Sequence, residues 1–177
     1  MECNYFLSYV VVNKEVIILE LSAKTDGWVA VGFSSDAKLG GGDDVIACKR
    51  KHTTTNEIIA QPLWISVTHF RPQLKESKLN LTSAQYADGY IYCRVTRPLN
   101  VKMDKNLDLT NDWYQLYITG PIEASGRMLK PVDGPQTSPD KLTVLMHENR
   151  LSAVSGGSCL AVHVLVVLIG VISPYVS

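Results

Sequence analysis

The chain of 177 residues lacks any excess of charge, with 17 lysines and arginines against 17 aspartates and glutamates. Without a basic block either, it offers nucleic acid no electrostatic footprint. Cysteine is scarce, and Cys3, Cys48, Cys93 and Cys159 show no CxxC or Cys/His spacing that would build a zinc site. GxSxG is missing, and no Ser/His/Asp or Cys/His grouping suggests an activated nucleophile. There is no internal repeat and no convincing amphipathic helix, which excludes solenoids and bundles. A secretory leader is missing too: Met1-Glu2-Cys3 runs straight into strand-like sequence, so a fragment or an incomplete gene model is expected.

What the chain has is short apolar runs separated by turn residues. Asn4 to Val12 and Glu15 to Leu21 are rich in aromatic and β-branched residues, with a turn at Val12-Asn13-Lys14. In the second run Ile17, Leu19 and Leu21 form the expected core face. Trp28 to Phe33 and Val45 to Cys48 read as buried strands on either side of a Gly-rich loop, Ser34 to Asp44. Lys49 to Asn56 reads as a basic hairpin loop, and Glu57 to Val67 as a strand broken at Pro62. Arg71 to Gln85 shows no clear period and is expected to be a long surface loop. Gly89 to Val95 alternates, with Ile91, Cys93 and Val95 on one face, and Arg97-Pro98 ends it. Asp112 to Thr119 is a strong strand stopped by Gly120-Pro121, Gly126 to Asp140 is turn-rich, and Leu142 to Met146 is a last short strand. The fold expected is an all-β, antiparallel, immunoglobulin-like sandwich.

Three features bear on location. One disulfide is expected among Cys3, Cys48 and Cys93, and the sequence does not select the pair. Asn80-Leu81-Thr82 is a glycosylation sequon. The tail, Cys159 to Val176, is apolar apart from His163 and Ser173, with Pro174 near its end. About 18 residues span roughly 27 Å as a helix, slightly short of a ~30 Å hydrocarbon core. A minimal membrane span and a GPI signal with small residues at Ser155-Gly156-Gly157-Ser158 both suit it, and a core strand is the third reading. The domains expected are a sandwich over 1–147, a juxtamembrane linker over 148–158 and a membrane tail over 159–177.

The runs Cys3-Asn4-Tyr5-Phe6-Leu7-Ser8-Tyr9, Thr25 to Asp36 (TDGWVAVGFSSD), Gly41-Gly42-Asp43-Asp44-Val45 and Trp113-Tyr114-Gln115-Leu116-Tyr117 with Gly120-Pro121 together resemble a DOMON domain. The likeness covers roughly residues 3 to 147 and is strongest over 3 to 48. For the family's cytochrome members the resemblance implies haem b held between an axial Met and an axial His. The Met belongs just before the Gly-Asp-Asp element, where this chain has Leu39. The His belongs after the Trp-Tyr strand, where it has Lys130. Leucine has no lone pair, and a lysine amine is protonated near neutral pH. Met103, Met128, His69 and His147 are single residues without paired spacing, and gap-filling or surface roles suit them better. No cofactor is therefore expected.

The resemblance to members with one such domain and a hydrophobic C-terminal segment implies a non-catalytic, membrane-attached, luminal or extracellular module that binds protein. It implies an accessory role in the assembly or trafficking of AMPA-type ionotropic glutamate receptors. Candidate contact segments are Ser34 to Asp44 and Lys49 to Thr55. Two alternatives remain: a haem b electron-transfer domain serving ferric-chelate reduction, and a carbohydrate-binding module using Trp64. Trp28 and Trp113 read as core. Asp43 and Asp44, adjacent in a strand, point to opposite faces and read as turn and strand-entry residues.

Overall fold

Strands that alternate apolar and polar residues bury one side each, and two sheets of them must cover each other. The computed structural model describes residues 4–66, 71–131 and 133–145, and residues 160–164 as backbone alone. Its strands are β1 (Tyr5–Val12), β2 (Val16–Lys24), β3 (Trp28–Ser34), β4 (Asp43–Arg50), β5 (Ile58–Ile65) and β6 (Gln73–Leu74). They continue with β7 (Asn80–Ala87), β8 (Tyr90–Pro98), β9 (Tyr114–Gly120), β10 (Gln136–Thr137) and β11 (Leu160–Val164). One sheet runs β11-β1-β2-β8-β7 and the other β10-β9-β3-β4-β5-β6. The described strand pairings are antiparallel except β1 with β11, which is parallel. No helix among the described residues is long and apolar enough to cross a membrane.

The core lies between the sheets. Ile17, Leu19 and Leu21 of β2 are buried there with Ile91, Cys93 and Val95 of β8, as the alternation requires. Val29 and Val31 of β3 and Ile46 and Cys48 of β4 meet them from the other sheet. The disulfide is Cys48–Cys93, so it joins β4 to β8 across the core. Two rungs further along the same strands, Asp44 and Arg97 pair at 2.9 Å. The sheets are therefore cross-linked twice. The β1–β2 turn uses Asn13 and Lys14 with φ of 52° and 58°, which suits a tight hairpin.

Several expectations are corrected. Arg71 to Gln85 is no loop: it contains β6 and most of β7, whose exposed polar residues and bulge between Leu81 and Ser83 erase the period. Lys49 and Arg50 belong to β4 and are buried. Leu142 makes a single bridge to Trp113 instead of opening a strand. Of the tail, Leu160–Val164 pairs beside β1. The rest of the tail, Cys3, His69, Met146 and His147 lie outside the described residues.

Candidate functional site

The face of the six-stranded sheet turned away from the core is also apolar. Trp28 and Ala30 of β3, Val45 and Ala47 of β4, Leu63 and Ile65 of β5, and Leu116 and Ile118 of β9 form a second buried cluster there. Alternation explains it, since these residues sit between the core-facing ones along each strand. An apolar face cannot stay wet without cost, and two segments cover it. Leu39 from the Gly-rich loop packs on it, and so do Ile122 and Met128 from the segment after β9.

The second cover is a small hairpin. Ile122 bridges Met128, and the Leu129 amide donates to the Pro121 carbonyl at 2.9 Å. Trp28 Nε1 donates to the Leu129 carbonyl at 3.2 Å, and Lys49 Nζ donates to the Gly126 carbonyl. The Trp28 ring leaves no room beneath it, because a Cβ on Gly120 would stand 2.5 Å from its atoms. Gly27 is as tightly placed, with its own missing Cβ 2.2 Å from the Gly120 carbonyl. Burial pulls the Lys49 ammonium below the usual lysine range.

The first cover is tied down by Asp43. Its Oδ2 accepts the Gly40 amide at 2.5 Å, and Gly42 donates to the Ile65 carbonyl at 2.9 Å. Gly40, Gly41 and Gly42 have φ of 105°, 111° and 113°, a path that side chains oppose. Burial pushes the Asp43 carboxyl above the usual aspartate range, against the lowering effect of hydrogen bonds from Ser34 and Gly40.

The two positions expected to hold haem ligands can now be placed. Leu39 packs in apolar contact on the outer face, and Lys130 is exposed, one residue beyond the Leu129 carbonyl that caps Trp28. Among the described apolar residues packed on that face, Met128 carries the single sulfur. Met103 is exposed, at 39% of its surface. Leu39 and Lys130 supply neither the sulfur nor the imidazole expected at those two positions. Among the described residues no group of three or more His, Cys, Asp or Glu could hold a metal ion either.

Asp43 and Asp44 do face opposite ways, but turn chemistry understates Asp44. Its carboxylate lies in the core and receives Arg97 Nη1 at 2.9 Å, the Leu107 amide at 2.9 Å, and Lys75 Nζ. Burial pulls the Lys75 ammonium down in pKa while Asp44 raises it. Nothing in the sequence joins residues 44, 75, 97 and 107, so only the fold reveals this hub.

The basic hairpin and Trp64 are less available than expected. Arg50 donates to the carbonyls of Asp26, Thr53 and Thr55 and lies 4.1 Å from the Tyr86 ring centroid, and Lys51 pairs with Glu57 at 3.0 Å. Trp64 is half-buried beside Gly42, with the Lys75 ammonium 5.9 Å from its ring centroid. Trp28 and Trp113 pack on the two clusters as expected, and Trp113 Nε1 donates to the Asp108 carbonyl at 2.8 Å.

The family model for the DOMON domain matches residues 1–120. This chain is a DOMON domain protein. Its relatives include the human DOMON domain-containing protein FRRS1L, 35% identical over 148 residues, 83% of this chain and 49% of that protein. The mouse FRRS1L is similar to the same extent. Mouse ferric-chelate reductase 1 is 27% identical over 139 residues, 78% of this chain and 23% of that protein. The chain thus spans about half the length, or less, of these relatives. The DGW turn of this DOMON domain is where Gly27 meets Gly120, and its GDD element divides between Asp43 under the loop and Asp44 in the core.

Proposed function

We propose that this DOMON module is non-catalytic and works by binding protein while attached to a membrane, with the domain on the luminal or extracellular side. The partner is a membrane protein, and the family resemblance directs it to an AMPA-type ionotropic glutamate receptor, with the module as an accessory factor in assembly or signalling. One observation carries the reading. Leu39 packs against the apolar outer face at the position from which a haem-binding relative is expected to offer sulfur. With Lys130 turned to solvent, neither position offers the sulfur or the imidazole that the resemblance leads one to expect. The inter-sheet disulfide favours an oxidising compartment. The loop Ser34 to Asp44 is the candidate contact segment.

Titration of the purified protein with haemin separates this reading from electron transfer. The expected absorption is that of free haemin, and a six-coordinate Soret band from the wild-type protein would overturn the proposal. Affinity capture of the tagged full chain from solubilised neuronal membranes tests the partner. AMPA-type receptor subunits are expected in the captured material. Stoichiometric capture of a different membrane protein would replace the receptor and keep the binding role.

A further inference from the structure

A sheet edge is a row of unpaired amides and carbonyls, and proteins blunt it by shortness, charge, proline or a cover. In the described structure the edges β6 and β10 are two residues long, and β1 is covered by β11. The edges that remain are β11, five residues long, and β7, eight residues long, and among the described residues no strand pairs with the outer side of β7. The β7 sequence, NLTSAQYA, contains neither a charge nor a proline. Residues Thr82 to Gln85 are exposed along it. One polar device does stand there: β7 opens with the sequon Asn80-Leu81-Thr82, and Asn80 is exposed.

We propose that Asn80 carries an N-linked glycan and that this glycan shields the β7 edge from pairing with other chains. The buried Cys48–Cys93 disulfide supports it independently, because structural disulfides form where the glycosylation machinery acts. In the reaction, the Asn80 amide nitrogen bonds to the anomeric carbon of a lipid-diphosphate-linked oligosaccharide. The bond from that carbon to the diphosphate breaks, the lipid diphosphate leaves with the electron pair, and the amide loses one proton to a base. The inference rests on the luminal placement proposed above.

The test uses the full chain from its own cells, treated with peptide N-glycosidase, beside a thiol-labelling assay of Cys48 and Cys93. The expected result is an intact disulfide and a downward mobility shift. An intact disulfide without a shift overturns the glycan and leaves the luminal reading standing, whereas free thiols without a shift overturn both. In transfected cells N80Q is expected to abolish the shift and T82S to keep it. Size-exclusion chromatography then reads the shielding. N80Q is expected to form larger species as concentration rises, and adding Q85K is expected to hold it at the volume of an unglycosylated monomer. An N80Q elution volume that does not change with concentration would overturn the shielding.

Discussion

At the scale of single residues, the two adjacent aspartates show how strand alternation assigns different work to identical side chains. Asp44 holds Arg97 and Lys75 in the core, with its own side chain 0% exposed and that of Arg97 1%. Removing one member of such a group strands buried charge, which costs about 3–5 kcal/mol. D44N is expected to lose stability on that order in urea unfolding. The triple change D44M/R97M/K75M is expected to cost less than D44N, since it removes all three charges together. Asp43 has its pKa raised by burial, so the native state holds the proton more tightly than the unfolded chain does. Stability from that proton is full below the unfolded pKa and is lost as pH rises through the folded one. D43N lacks this slope. Its Tm is therefore expected to gain on the wild type as pH is raised from the usual aspartate range through the raised one.

At the scale of elements, the β3–β9 pair depends on the contact between Trp28 and Gly120. A methyl group on Gly120 would enter the indole, and forced packing of this kind typically costs about 1–3 kcal/mol. G120A is expected to lower the urea midpoint accordingly and to raise Trp28 fluorescence wavelength as the ring is displaced. β1, β2, β3, β4 and β8 were legible in the sequence because each buries a regular apolar set, such as Ile17, Leu19 and Leu21. β7 was not legible: it is an exposed edge whose residues face water, and its bulge breaks the alternation that would mark it. The strand expected from Leu142 is absent over 142–145 for the opposite reason. Val144 is buried and apolar, yet the segment finds one bridging partner, Trp113.

At the scale of the whole molecule, β4 and β8 hold the two sheets together through the disulfide and the Asp44–Arg97 pair. Cys48 and Cys93 are 45 residues apart, and closing a loop of that size is worth at most about 4 kcal/mol by the chain-entropy estimate. C48A/C93A is expected to lose roughly 2–4 kcal/mol in equilibrium unfolding while keeping the far-ultraviolet spectrum of a β-sandwich. The candidate site divides in the same way between sequence and fold. The sequence shows Leu39 and Lys130 where ligands are expected, because that depends on residue type alone. That Leu39 packs down on the outer face beside Ile122 and Met128, and that Lys130 stays in solvent, depends on how two covering segments settle on one sheet.

By itself, then, the sequence determined the all-β class, the core faces of the regular strands, the presence of a sequon and the residue types, Leu39 and Lys130, at the two positions where the family resemblance places ligands. Each of these follows from local periodicity or from the chemistry of single side chains. Only the tertiary structure decided that Cys48 takes Cys93, that Asp44 gathers Lys75, Arg97 and Leu107, and that Asn80 opens a strand whose outer side pairs with no described strand. Those facts depend on which strands become neighbours, and neighbours distant in sequence are chosen by the packing of the two sheets.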